Sequence, residues 1–171
     1  MRRTPSSQAL TELILEVFRL NGRLLNAGDA LTRPLGQTSA RWQVLGALDE
    51  NHLTVAEIGR RMGLTRQSVQ RTADVLEADG LVSYTENPAH QRAKLAMLTE
   101  RGRATLDAIT NRQIAWSNTV GGDVDEDDIR HAIRTLRHVR QAVDAEVQGA
   151  PAKGSRRSAH PSTPVHRRSR S

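Results

Sequence analysis

Cysteine is absent from this 171-residue sequence, and its absence excludes several kinds of chemistry together. Without a thiol the chain forms no disulfide, binds no zinc through thiolates and carries no cysteine redox sensor. Aromatic residues are also scarce and consist of Phe18, Trp42, Tyr84 and Trp116. Leu, Ile, Val and Ala must therefore fill the core, and this composition suits helices.

Long apolar runs are missing as well. The sequence has no stretch of 18 apolar residues, so it predicts no transmembrane helix. The first residues are polar or basic and lack the apolar segment of a secretory signal. We therefore expect a cytoplasmic protein that does not contact membranes, with one domain and appendages.

Acidic residues are lacking from the end of the chain. Residues 149–171 contain six of the 25 Lys and Arg residues and no Asp or Glu. The first 148 residues contain the other 19 basic residues and all 19 acidic ones, so the net charge of +6 belongs to the tail. It does not establish that the folded part binds nucleic acid. The tail is rich in Ala, Pro, Ser, Arg and His without aliphatic periodicity, and we expect it to be disordered.

Amphipathic helices are predicted at both ends of the remaining chain, which we take as one domain over residues 8–148. In residues 8–32 apolar side chains recur every three or four positions. Pro34 and Gly36 are expected to end this helix. Residues 123–148 show the same spacing, with the stripe Ile129, Ile133, Leu136, Val143 and Val147. Shorter helices are predicted near 40–49, with Trp42, Leu45 and Leu48 inward, and near 99–119.

Two short helices are predicted in the middle of the chain. Thr54 and Glu57 have the spacing of a capping box. The first helix is expected to bury Val55, Ile58 and Met62, and Gly63 ends it. Thr65 is the expected N-cap of the second helix, whose inward residues are Val69, Ala73 and Leu76. Gly80 suits the left-handed position after that helix.

The sequence period changes after Gly80. Residues 81–85 and 94–98 are short, apolar segments separated by the turn-like residues 87–91. This pattern predicts a β-hairpin. The fold class expected is therefore mainly α with a small β-hairpin wing, that is, a winged helix-turn-helix over residues 41–103.

The second central helix carries the residues expected to bind DNA. With Val69, Ala73 and Leu76 buried, the helical wheel turns Gln67, Gln70 and Arg71 outward, with Arg66 on the flank. Gln can read adenine and Arg can read guanine in the major groove, whereas Thr65 and Ser68 suit phosphate contacts. At the hairpin tip, His90, Gln91 and Arg92 are placed to reach a minor groove. Considered alone, such polar residues are more often an ordinary solvated surface.

Several segments resemble the MarR family of transcriptional regulators. These are residues 53–69, LTVAEIGRRMGLTRQSV, residues 76–82, LEADGLV, and residues 98–102, LTERG. The resemblance covers residues 8–148. It implies a homodimer in which the helices of 8–32 and 123–148 interlock, although these helices could instead pack within one subunit.

The resemblance also implies a small aromatic or anionic effector, and Phe18, Arg41 and Trp42 are the candidate ligand-binding residues. Taken singly, Trp42 and Phe18 are more often ordinary core residues. The wing departs from the family pattern, which has an acidic residue followed by arginine. His90 stands in place of the acid and Gln91 in place of one arginine, so only Arg92 matches.

No nucleophile motif, phosphate loop or catalytic carboxylate pair is visible, so we expect no enzyme and no cofactor. We also expect no metal site, since His131 and His138 are seven residues apart. The leading hypothesis is a dimeric, sequence-specific regulator of transcription that binds double-stranded DNA. It is expected to be a repressor, or less often an activator, and release by an effector is one option. The alternatives are an architectural DNA binder with slight sequence preference and a protein-interaction module.

Overall fold

The computed structural model describes residues 2–90 and 92–149, and it confirms a mainly helical chain with one β-hairpin. The chain divides after Asp123 into two units. The first unit contains α1 to α5 and the hairpin, and the second contains α6. The elements are α1 (Pro5–Thr32), a 3₁₀ turn (Arg33–Leu35), α2 (Ser39–Ala47), α3 (Val55–Met62), α4 (Arg66–Ala78), β1 (Val82–Thr85), β2 (Leu95–Leu98), α5 (Glu100–Gly121) and α6 (Glu126–Gly149).

Most of the α-helices are preceded by a threonine that acts as the N-cap. The first N–H groups of a helix lack partners within it, and a hydroxyl on the preceding residue can accept from one of them. The hydroxyls that do so belong to Thr4, Thr38, Thr54, Thr65 and Thr99, each bonded to the N–H three residues later. The predicted caps at Thr54 and Thr65 are confirmed.

The core of the first unit lies beneath the two central helices. The predicted inward residues Leu45, Ile58, Val69 and Leu76 are fully buried, together with Ile109 of α5. The prediction that Met62 is buried is wrong, because its side chain is 38% exposed. Met62 is the last residue of α3 and lines an open cavity beside α1 and α5, so it lies outside the packed core.

The hairpin is antiparallel, and Val82 pairs with Leu98 while Thr85 pairs with Leu95. A further bridge joins Leu53 to Ala96, each N–H donating to the other residue's carbonyl, at 3.1 and 2.8 Å. The sequence pattern predicts no strand before α3. A bridge of one residue has no alternation that could reveal it.

Glycine permits a close contact where α5 begins. A Cβ added to Gly102 would lie 2.0 Å from the carbonyl oxygen of Leu81. Beside it, Thr99 donates its N–H to the same carbonyl at 3.1 Å and its hydroxyl to the carbonyl of Gly80 at 2.7 Å. These contacts fix the start of α5 against the residues between α4 and the hairpin.

Apolar side chains remain exposed on α1 and α6. On α1 they are Leu10, Ile14, Leu15, Val17, Phe18, Leu20, Leu24 and Leu25. On α6 all five predicted stripe residues are exposed, from 39% at Ile129 to 70% at Val147. None of the helices in the described ranges has the length and apolarity required to cross a membrane.

Candidate nucleic-acid interface

The turn between α3 and α4 sets the two helices close together. Gly63 takes a left-handed conformation with φ of 66°, and Leu64 donates its N–H to the carbonyl of Gly59 at 2.9 Å. A Cβ on Gly59 would lie 2.9 Å from the Leu64 carbonyl oxygen, so a larger residue would push the turn outward. This tight turn is what aims the start of α4 away from the core.

One face of α4 is buried and the other is exposed, as the sequence predicted. Val69, Ala73 and Leu76 are fully buried. The opposite face presents side chains that can bind nucleic acid, and the exposed ones are Thr65, Arg66, Gln67, Ser68 and Arg71. The Thr65 hydroxyl is already in use, since it accepts from the Ser68 N–H at 3.1 Å.

Gln70 differs from the other predicted reading residues because it is half-buried and engaged within the helix. Its amide nitrogen donates to the carboxylate of Asp74 at 2.6 Å. A carboxylate only accepts, so this bond fixes the orientation of the amide. It uses one of the two N–H groups and leaves the other N–H and the carbonyl oxygen of Gln70 outside this bond. The i, i+4 spacing of the two residues is the signal from which this pair could have been predicted.

Tyr84 places an aromatic ring of β1 next to this pair. Burial raises the pKa of Tyr84, and the nearby carboxylates of Asp74 and Glu77 raise it further. The ring therefore stays neutral near pH 7 and contributes an apolar contact.

The wing tip is a turn built around Asn87. Its side-chain oxygen accepts from the Ala89 N–H at 3.0 Å, and its carbonyl accepts from the His90 N–H at 3.1 Å. His90 and Arg92 are exposed at this tip, whereas Gln91 lies outside the described residues. The predicted wing residues that can be located therefore lie together on the turn.

A cavity of about 380 Å³ lies between α1, α2 and α5. Trp42 lines it, together with Trp116 and Met62. Phe18 and Arg41, the other two candidate ligand-binding residues, do not line this cavity. Phe18 is 68% exposed farther along α1, and the Arg41 guanidinium pairs with Asp79 and the Gly36 carbonyl.

No group of three or more His, Asp or Glu side chains within residues 2–90 and 92–149 is arranged to hold an ion. The pKa of Glu57 is lowered, but the cause is structural, namely the hydrogen bonds that its carboxylate accepts from the Thr54 backbone and hydroxyl.

Comparison with known proteins places this geometry in one family. Residues 35–93, which include α2, α3, α4 and β1, match the MarR family. A MarR family transcriptional regulator from Streptomyces coelicolor is 30% identical, with 83% of this chain and 97% of that chain covered and a TM-score of 0.66.

Two further solved structures contain bound partners. The transcriptional regulator MOSR of M. tuberculosis, solved in complex with DNA, is 27% identical over 76% of this chain and 96% of its own, with a TM-score of 0.65. CouR from Rhodococcus jostii RHA1, bound to p-coumaroyl-CoA, is 25% identical over 74% of this chain and 90% of its own, with a TM-score of 0.68. From its sequence, its helix-turn-helix and its wing, the chain belongs to the MarR family of DNA-binding transcriptional regulators.

Proposed function

We propose that this regulator is a homodimeric repressor that reads a specific operator through α4 and the wing and is released by a small molecule. The observation that carries the proposal is the two-sided character of α4. Its inner face is fully buried, so its position is fixed, and its outer face presents Arg66, Gln67 and Arg71 to solvent. A rigid helix with exposed Arg and Gln side chains suits reading of base edges in the major groove.

The roles of the individual residues follow from this arrangement. Arg71 and Gln67 are the proposed base-reading residues. Gln70 is the third proposed base-reading residue. One N–H of its amide is held by Asp74, and its carbonyl oxygen can accept from an amino group of cytosine or adenine. Ser68 and Thr65 lie at the start of α4, where phosphates are favoured. His90, Gln91 and Arg92 are proposed to contact the backbone or minor groove.

Dimerisation is proposed from the exposed apolar faces of α1 and α6. A surface helix with a continuous apolar stripe normally buries it against a partner. Two half-sites must be occupied together for tight operator binding, which a symmetric dimer permits. The two long helices are therefore the proposed interface, and the proposed location of the protein is the cytoplasm.

Effector release is proposed for the cavity beside Trp42. Its volume falls in the range of small-molecule sites. Its wall includes residues of α1, which is one of the proposed dimer helices, and of α2 and α5. A ligand there would release DNA only if it binds better to a conformation that cannot engage both half-sites. The structure of CouR with p-coumaroyl-CoA supports the proposal by analogy.

The basic tail favours a second candidate, an architectural binder with slight sequence preference. Selection of DNA fragments from a genomic pool, followed by affinity measurement against random DNA, separates the two. A repressor should enrich fragments that share a two-fold symmetric site and bind them on the order of 10³-fold or more tighter than random DNA. Enrichment without a common site would favour the architectural binder.

A further inference from the structure

We infer that the effector of this protein is an uncharged, largely apolar molecule with one or two neutral hydrogen-bonding groups, and that a carboxylate of the same shape binds more weakly. The inference rests on the proposed effector site and specifies its ligand class. It differs from the broader expectation of an aromatic or anionic effector. The observation that carries it is the neutral character of the side chains that line the cavity.

The cavity wall is apolar with a few neutral polar groups. Trp42 and Trp116 provide aromatic surface, and the leucines of α1 with Met62 provide aliphatic surface. The polar side chains are hydroxyl or amide groups, including Ser39, Gln43 and Gln113. In the described part of the chain, the residues that line the cavity include no Asp, Glu, Lys, Arg or His.

Two charged residues outside the wall are bonded to the backbone of lining residues. Asp29 accepts the N–H of Ser39 at 2.7 Å, and Arg112 donates its Nε to the carbonyl of Leu31 at 2.8 Å. The first bond directs the Asp29 carboxylate toward the main chain of a lining residue, and the second holds the Arg112 guanidinium at the main chain of Leu31 through Nε. Neither Asp29 nor Arg112 is itself part of the wall.

The cavity should therefore bind a neutral ligand more tightly than a carboxylate of the same shape. A carboxylate that enters an apolar cavity loses its hydration, and without a cation beside it the loss is not compensated. A neutral amide or hydroxyl loses less and regains hydrogen bonds from groups such as Ser39, whose residue is only 6% exposed. A flat apolar body gains further from contact with the two indole rings.

The test compares two ligands of nearly equal shape, 3-phenylpropanamide and 3-phenylpropanoate, at pH 7. Trp42 and Trp116 are the only tryptophans in the sequence and both line the cavity, so intrinsic fluorescence of the full chain reports binding. We expect the amide to shift the fluorescence with a Kd at least about tenfold lower than that of the carboxylate. Trp42→Phe and Trp116→Phe should each remove part of that signal.

Two variants supply the matched controls. Gln113→Arg places a cation in the wall and should move the preference toward the carboxylate. Arg112→Gln removes the neighbouring cation outside the wall and should leave the preference unchanged. Equal or tighter binding of the carboxylate by the unaltered protein would overturn the inference, and so would the failure of both ligands to change the fluorescence.

DNA release is measured separately with the same ligands and a selected operator. Release by the carboxylate as well as the amide would contradict the ligand class while leaving the proposed effector control intact. Ligand binding that never releases DNA would contradict effector control while leaving the ligand class intact. The two proposals therefore fail in distinguishable ways.

Discussion

Glu57 shows how a single side chain fixes the entry into the helix-turn-helix. Its carboxylate accepts from the N–H of Thr54 at 2.8 Å and from the hydroxyl at 2.7 Å, while that hydroxyl accepts from the Glu57 N–H at 3.3 Å. Thr54→Ala removes the cap and should lower the free energy of unfolding by about 1 kcal/mol in urea titrations. A Thr54→Ser variant should retain most of the stability, and equal losses in both variants would contradict the capping role.

The Glu57 carboxylate should also make the stability of the folded protein depend on pH. Hydrogen bonds from Thr54 lower the pKa of Glu57 below its ordinary value of 4.5. Its stabilising contribution is therefore fully present above the unfolded-state pKa and is lost as the pH falls through the lower folded-state value. Glu57→Gln should flatten the loss of stability between about pH 5 and pH 3, as followed by circular dichroism. An unchanged acid profile would show that Glu57 contributes nothing to it.

Gly102 is the residue at which side-chain size matters most. Its missing Cβ leaves room for the Leu81 carbonyl, which would otherwise lie 2.0 Å away. Gly102→Ala should therefore destabilise the protein by about 1–3 kcal/mol or more, measured by thermal unfolding. Gly46→Ala is the matched control, because nothing lies within 4 Å of its added Cβ and α2 should gain about 0.5–1 kcal/mol. Similar effects at both positions would contradict the close contact.

At the scale of the elements, periodicity and caps predicted most of the fold. The buried face of α4 follows from the spacing of Val69, Ala73 and Leu76, and the threonine caps follow from their chemistry. The Leu53–Ala96 bridge and the exposure of Met62 depend on contacts between distant segments. Likewise, the sequence could name Trp42 and Phe18 as aromatic candidates but could not show that Trp42 lines the cavity and Phe18 does not.

The apolar stripe on α6 is proposed to lie in the dimer interface, so charges placed in it should disrupt the dimer. Leu136→Asp combined with Val143→Asp introduces two charges into the apolar face and should yield monomers in light scattering, with loss of operator affinity. His138→Asp with Ala145→Asp is the matched control, because both residues lie about half a turn away on the opposite face. A dimer that survives the first pair, or dissociates equally with the second, would contradict the proposed interface.

At the scale of the whole molecule, charge is concentrated in residues 149–171. The expectation that they are disordered concerns residues outside the described part of the chain, apart from Gly149. Their +6 charge should add non-specific affinity, because each phosphate neutralised steepens the log–log salt dependence by roughly 0.9. A chain ending at Gly149 should select the same operator with a shallower salt slope and a higher ratio of specific to random binding. Identical slopes would leave the tail without an electrostatic role.

The most direct test of the central claim is the affinity of Arg71→Ala for a selected operator and for every single-base variant of it. Since the outer face of α4 is proposed to read bases, this variant should lose about 1–3 kcal/mol on the operator and lose its preference at one base position in each half-site. Arg92→Ala, on the wing, should weaken binding to all variants alike. If Arg71→Ala keeps the parent's full preference at every position, α4 does not read the operator as proposed.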